Sequence, residues 1–267
     1  MSDPEIHEVY AVKYGTMQNR QRHDNFIAAD PHDGPMPLDY FVWAIVNGNR
    51  TIVVDTGFDP EEGRRRKREI QRLPREGLSM LGIDAATVQD VVITHMHWDH
   101  AGTLDDFPQA RFHLQELELA YTTSRHMCHR PFQQSYSAEH VCGVVRRLFE
   151  GRVVFHEGEA EIAPGVSVHH IGGHTMGMQC VRVLTKRGWV VLASDSAHFY
   201  ENMERTAPFP IVYHLGDMVQ GYAKLNQLAE SPRHIIPGHD PLVMERYPAP
   251  NGAMEKVVAR LDVPPKG

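Results

Sequence analysis

The stretch Thr94-His95-Met96-His97-Trp98-Asp99-His100 constrains this chain more than any other. It follows the apolar run Val91-Val92-Ile93, which reads as a buried strand of a parallel sheet ending in a loop. His95, His97, Asp99 and His100 offer four metal-ligand side chains within six residues. A continuing strand would put the first three on one face and His100 on the other, so the chain must turn sharply here. Ala101-Gly102, which follows, permits a close backbone approach. Imidazole and carboxylate together suit zinc, manganese, iron or cobalt. Solvated loop residues clustered by chance would be the bland alternative. Against it stand three further ligand-type residues at the ends of apolar runs. They are His174 in Ile171-Gly172-Gly173-His174, Asp195 after Val190-Val191-Leu192-Ala193-Ser194, and His239 in Ile235-Ile236-Pro237-Gly238-His239. Open α/β sheets place their sites at the carboxyl ends of strands.

The chain has 267 residues and a formal net charge of −7, which disfavours a general nucleic-acid binder. Its apolar runs fall well short of the roughly 18 residues a membrane span needs. The start, Met1-Ser2-Asp3-Pro4-Glu5, is polar and acidic and does not read as an export signal. Cys128, Cys142 and Cys180 form an odd set without metal-type spacing, which argues for free thiols and a cytoplasmic location. No linker-like or repetitive stretch divides the chain, so one domain over 1–267 is expected.

Alternation over residues 6–14 predicts an opening strand, and residues 15–38 a long polar loop. Phe41–Val46 and Thr51–Asp55, joined by Asn47-Gly48-Asn49, predict a hairpin. Asp55 closes it, either as a buried acceptor for a ligand imidazole or as a solvated turn residue. The basic run Arg64–Arg68 reads as the exposed side of a helix reaching about Leu73. Residues 121–150 form an insert whose Met127, His129, Phe132 and Tyr136 would either pack the insert or wall a substrate pocket. Further strands are predicted at 153–155, 166–171, 181–184, 189–192 and 234–236, with a helix over 218–229. From pattern alone the fold class is α/β with a large sheet.

His95-x-His97-x-Asp99-His100, followed in order by His174, Asp195 and His239, resembles the metallo-β-lactamase superfamily over nearly the whole chain. That resemblance implies an αββα sandwich, two mixed β-sheets with helices outside. It also implies two divalent metal ions, zinc foremost, with manganese, iron or cobalt as alternatives. His95, His97 and His174 would hold one ion, Asp99, His100 and His239 the other, and Asp195 would bridge them. Within the superfamily the chain looks most like the N-acyl homoserine lactonases. A quorum-quenching lactonase of that kind opens its small-molecule lactone by attack of a metal-bridging hydroxide. Asp99 would hand a proton to the leaving oxygen. Loop 15–38 and insert 121–150 would shape the substrate pocket, and a homodimer is an option the group allows. One departure stands out. Members of the group carry a tyrosine three residues after the bridging aspartate, where this chain has His198. His198, or Tyr200 nearby, would take over the substrate contact. The alternatives are hydrolysis of another lactone, ester or thioester, as in glyoxalase II, and a non-catalytic metal-binding or sensing module.

Overall fold

Side-chain alternation in the first two long strands decides how the layers stack. Val9 and Ala11 face one way and Tyr10, Val12 and Tyr14 the other, while Phe41, Trp43 and Ile45 alternate with Tyr40, Val42 and Ala44. Both faces are apolar, so this sheet must be covered on both sides. The computed structural model describes residues 4–28, 32–48 and 50–266. Residues 29–31 of the long polar loop, Asn49 of the hairpin turn and the extreme ends of the chain lie outside the described residues.

In chain order the first sheet is built from β1 (Glu8–Met17), β2 (Leu38–Asn47), β3 (Arg50–Val54), β4 (Glu69–Ile70), β5 (Asp90–Val92), β6 (Arg111–Gln115) and β7 (Val153–His156). The second contains β8 (Glu159–Ala163), β9 (Val166–His170), β10 (Gln179–Thr185), β11 (Gly188–Ser194) and β12 (Ile235–Pro237). β13 (Val258–Arg260) returns to the first. The spatial orders are β13-β1-β2-β3-β5-β6-β7, with β4 on β1, and β12-β11-β10-β9-β8. Both sheets are mixed: β3, β5, β6 and β7 run parallel, as do β11 and β12, while the remaining pairs are antiparallel.

One core lies between the sheets, where Phe41, Trp43, Ile45 and Val92 meet Val168, Val181, Val183 and Leu192. Helices Pro74–Met80, Glu116–Thr122 and Ala138–Phe149 cover the outer face of the first sheet through Leu78, Leu119 and Val144. Helix Leu215–Leu228 covers the second through Met218, Tyr222 and Leu225. This is the αββα sandwich. Its sheets are tied together at one end, where Gln179 donates its backbone N–H to the Thr94 carbonyl (3.0 Å) and its side-chain amide to the Ile93 carbonyl (2.8 Å). The segments leaving β3, β5, β9, β11 and β12 all emerge near that junction.

Some elements differ from expectation. The helix carrying the basic run spans Pro60–Arg66 and stops there, because Lys67 is left-handed (φ 58°) and Glu69–Ile70 pair with Gly15–Thr16 of β1. The run is also not simply an exposed face: Arg65 and Arg66 clasp the buried Glu62, and Arg66 lies over the Trp98 ring at 4.7 Å. Strand β8, with sequence Glu-Ala-Glu-Ile-Ala, and the three-residue β13 lack the dense apolar pattern that marks the other strands.

Trp43 is fully buried between the sheets. Trp43→Ala should therefore destabilise the fold by about 3–5 kcal/mol, read as a lower midpoint in denaturant unfolding. An unchanged midpoint would contradict the packing described.

Candidate metal centre

Seven side chains converge where the strands end. His95, His97, Asp99 and His100 come from the loop after β5, His174 from the loop after β9, Asp195 from the end of β11 and His239 from the end of β12. All seven are buried, from 0% exposed at His95 to 8% at Asp99. Potential ligand atoms of His95, His97 and His174 lie within 4.8 Å of one another, and so do those of Asp99, His100 and His239. Asp195 stands between the two groups. Its Oδ2 is 3.2 Å from His174 Nε2 and 3.8 Å from His95 Nε2. Its Oδ1 is 3.0 Å from His239 Nε2 and 3.4 Å from His100 Nε2. Each carboxylate oxygen thus faces a different histidine group.

The backbone is shaped to permit this. A Cβ on Gly238 would come within 2.7 Å of Asp195 Oδ1, so the residue before His239 must be glycine for the carboxylate to fit. A Cβ on Gly102 would meet the Gly57 carbonyl at 2.6 Å, and its N–H donates to that carbonyl instead (2.8 Å). Asp55 (φ 61°) and Ser194 (φ 44°) are left-handed non-glycine residues at the ends of β3 and β11, a strained conformation that surrounding contacts must hold.

Hydrogen bonds behind the imidazoles set which nitrogen points inward. His174 Nδ1–H donates to the Ile211 carbonyl (2.7 Å), His239 Nδ1–H to the Asp39 carbonyl (2.8 Å), and His100 Nδ1–H to Asp55 Oδ2 (2.8 Å). A carbonyl or carboxylate oxygen can only accept, so in the neutral ring the proton sits on Nδ1 and the Nε2 lone pair faces the centre. Asp55 is fully buried and also accepts from Thr94 N–H (2.7 Å) and Thr94 Oγ–H (2.8 Å). Of its two sequence-based readings, the structure gives the buried acceptor.

The consequence is acceptor against acceptor. His239 Nε2 faces Asp195 Oδ1, His174 Nε2 faces Asp195 Oδ2, and His100 Nε2 and Asp195 Oδ1 are buried with no hydrogen-bond partner. Such an arrangement is repulsive unless positive charge lies between the groups. Protons can supply it: although burial opposes charging, Asp195 and Asp99 hold His100 and His239 above the ordinary histidine pKa of 6.5. Burial, reinforced by neighbouring imidazoles, pushes His95 and His97 well below it, leaving them neutral. Divalent cations fit the same donor set, which combines neutral imidazoles with carboxylates.

His198 joins the cluster, though not as a free substrate contact. Its ring stacks on Phe209 (3.5 Å, 12°) and its Nε2–H donates to Asp195 Oδ2 (2.9 Å). Burial lowers its pKa to about 3, so the imidazole is neutral. Tyr200 is not brought to the cluster. Its ring lies under the Arg246 guanidinium at 4.0 Å and packs into the core between the sheets, because helix Tyr200–Glu204 turns it away. Of the four insert residues, Tyr136 reaches the centre, its ring 4.5 Å from that of His97. Phe132 packs with Tyr121, His126 and Tyr213, Met127 is half-buried, and His129 is exposed. The long polar loop flanks the site from the other side. Arg22 pairs with Glu201, Ile27 N–H donates to the Pro208 carbonyl, and the following Asp39 holds His239. The Ile211 and Asp39 carbonyls carry no side-chain signal. Phe209 and Glu118, also part of the surroundings, read in the sequence as an ordinary core aromatic and an ordinary helical glutamate.

The family model described as the metallo-beta-lactamase superfamily matches residues 36–239. The N-acyl homoserine lactonase AiiB of Rhizobium rhizogenes is 30% identical over 213 residues, which cover 72% of this chain and 76% of that protein. An N-acyl homoserine lactonase from a Bacillus species is 29% identical over 133 residues, 49% of this chain and about half (48%) of that relative's length. The crystal structure of a quorum-quenching N-acyl homoserine lactone lactonase superposes with a TM-score of 0.73 at 21% identity, covering 90% of this chain and 94% of that one. Strand order, the convergent His/Asp cluster and the family match agree: the chain belongs to the metallo-beta-lactamase superfamily.

Proposed function

We propose that this protein is a two-metal hydrolase that opens the ring of an N-acyl homoserine lactone. One observation carries the reading: Asp195 presents one carboxylate oxygen to His95 and His174 and the other to His100 and His239. That is the arrangement needed to share one carboxylate between two cations. His95, His97 and His174 would hold the first and Asp99, His100 and His239 the second, and zinc is a cation that imidazole and carboxylate ligands suit. Two such cations, when bound, supply a water acidified to a pKa of about 7 and polarise a carbonyl oxygen. The lactone class is supported by the relatives, which carry the name N-acyl homoserine lactonase over up to 76% of their length.

The chain's own residues then divide the remaining work. Asp99, the most exposed of the seven, would carry a proton to the alkoxide oxygen as the ring opens. His198 would fix the bridging carboxylate through its 2.9 Å hydrogen bond, a task suited to a neutral imidazole wedged against Phe209. Tyr136 would limit access of water, since its ring rests 4.5 Å from that of His97.

Metal uptake should depend on pH with a definite sign. Protons held on His100 and His239 above the usual 6.5 must leave before a cation binds. Affinity therefore falls as pH drops through those raised values, by about tenfold per pH unit for each proton displaced. Competition titration of stripped protein at about pH 8 and about pH 6 measures this, and equal affinities would contradict the assignment. The activity itself is tested by pH-stat titration of acid released from N-acyl homoserine lactones. Hydrolysis should vanish with chelator and return with zinc, manganese or cobalt. A metal-loaded protein inert toward these lactones but active on another lactone, ester or thioester would overturn the substrate assignment. One inert to all of them would favour a binding or sensing module.

A further inference from the structure

Glu118 is a carboxylate with no solvent exposure, on the helix that follows β6. Among the described residues it forms no salt bridge with a lysine or arginine. It is surrounded instead by four donors. Oε1 accepts from Met96 N–H (2.9 Å) and Tyr136 Oη–H (3.2 Å), and Oε2 from Thr175 Oγ–H (2.6 Å) and Gly177 N–H (3.0 Å). Those donors are not scattered. Met96 lies between His95 and His97, Thr175 follows His174, and the Tyr136 ring rests on His97 at 4.5 Å. None of them adjoins His100 or His239. The contact is close enough that a Cβ on Gly177 would sit 2.2 Å from the Glu118 backbone nitrogen.

We propose that Glu118 is a positioning residue for one metal position only, clamping the His95–His97 segment to the His174 loop so that their three imidazoles share a focus. The clamp rests on the two-metal reading of the site. A buried carboxyl group without a cationic partner is costly to keep charged, and burial raises its pKa. Three of its four bonds go to the segments bearing this histidine trio, and the fourth to Tyr136, whose ring rests on His97. The two segments come from different sheets, β5 and β9, so nothing in the strand ladders fixes their separation at this point. Asp55 braces the other trio directly through His100, and through Thr94 it also holds the start of the loop the two trios share.

Glu118→Gln keeps the shape but places an amide donor where two donors already point. Zinc competition titration, with metal content counted per chain, should show two tight positions in the wild type. In the variant one position should weaken by about 10–100-fold while the other is unchanged. Adding Glu118→Gln to His174→Ala should cause no further loss, whereas adding it to His239→Ala should weaken the position that remains. Thr175→Val, which removes one donor at nearly constant volume, should weaken the same position to a smaller degree and serves if Glu118→Gln does not fold. Unchanged zinc affinity in a folded variant would overturn the inference. Equal weakening of both positions, in step with a lower melting temperature of the metal-free protein, would do so too and assign Glu118 a merely structural role. A wild type that takes up no cation would instead overturn the two-metal reading beneath it.

Discussion

Lone pairs aimed at lone pairs are the constraint around which this protein is built. Nδ1 hydrogen bonds to the Ile211 and Asp39 carbonyls and the Asp55 carboxylate turn Nε2 of His174, His239 and His100 toward Asp195, where a neutral ring presents a lone pair. Buried together, such a convergence of lone pairs would push itself apart. Positive charge between the groups turns the repulsion into binding, and the fold must hold the groups together until that charge arrives. Strained left-handed residues at Asp55 and Ser194, and the glycine that makes room for the Asp195 carboxylate, fit that demand.

The sandwich supplies the rigidity. The ligands come from both sheets, and the sheets share a dry core and a hydrogen-bonded junction at Gln179. Buried carboxylates then tune the loops: Asp55 braces His100 from behind, and Glu118 spans the segments bearing His95, His97 and His174. The proposed proton transfer would fall to Asp99, the most exposed of the seven converging side chains.

Much of this was legible in the residue order. Apolar runs ending in His or Asp identify strand ends, and a strand end is a place rather than merely a residue type. Hence His174, Asp195 and His239 could be assigned to one region although 65 residues of sequence separate the first from the last. Side-chain direction was not legible to the same degree. His198 and Tyr200 lie two residues apart, yet one reaches Asp195 and the other turns into the core, because a short helix begins between them. Glu118 looks like any helical glutamate until four donors from distant segments close on it. The basic run misled for a related reason. A left-handed Lys67 and a two-residue strand on β1 ended the helix early, and neither follows from local propensity.

A crystal structure of the zinc-loaded protein with anomalous scattering recorded at the metal edge is the most direct test. Two peaks should appear about 3.5–4 Å apart, one beside each oxygen of Asp195, the first among His95, His97 and His174 and the second among Asp99, His100 and His239. A single peak, or two that leave Asp195 outside their coordination, would contradict the shared-carboxylate centre on which the proposed hydrolysis depends.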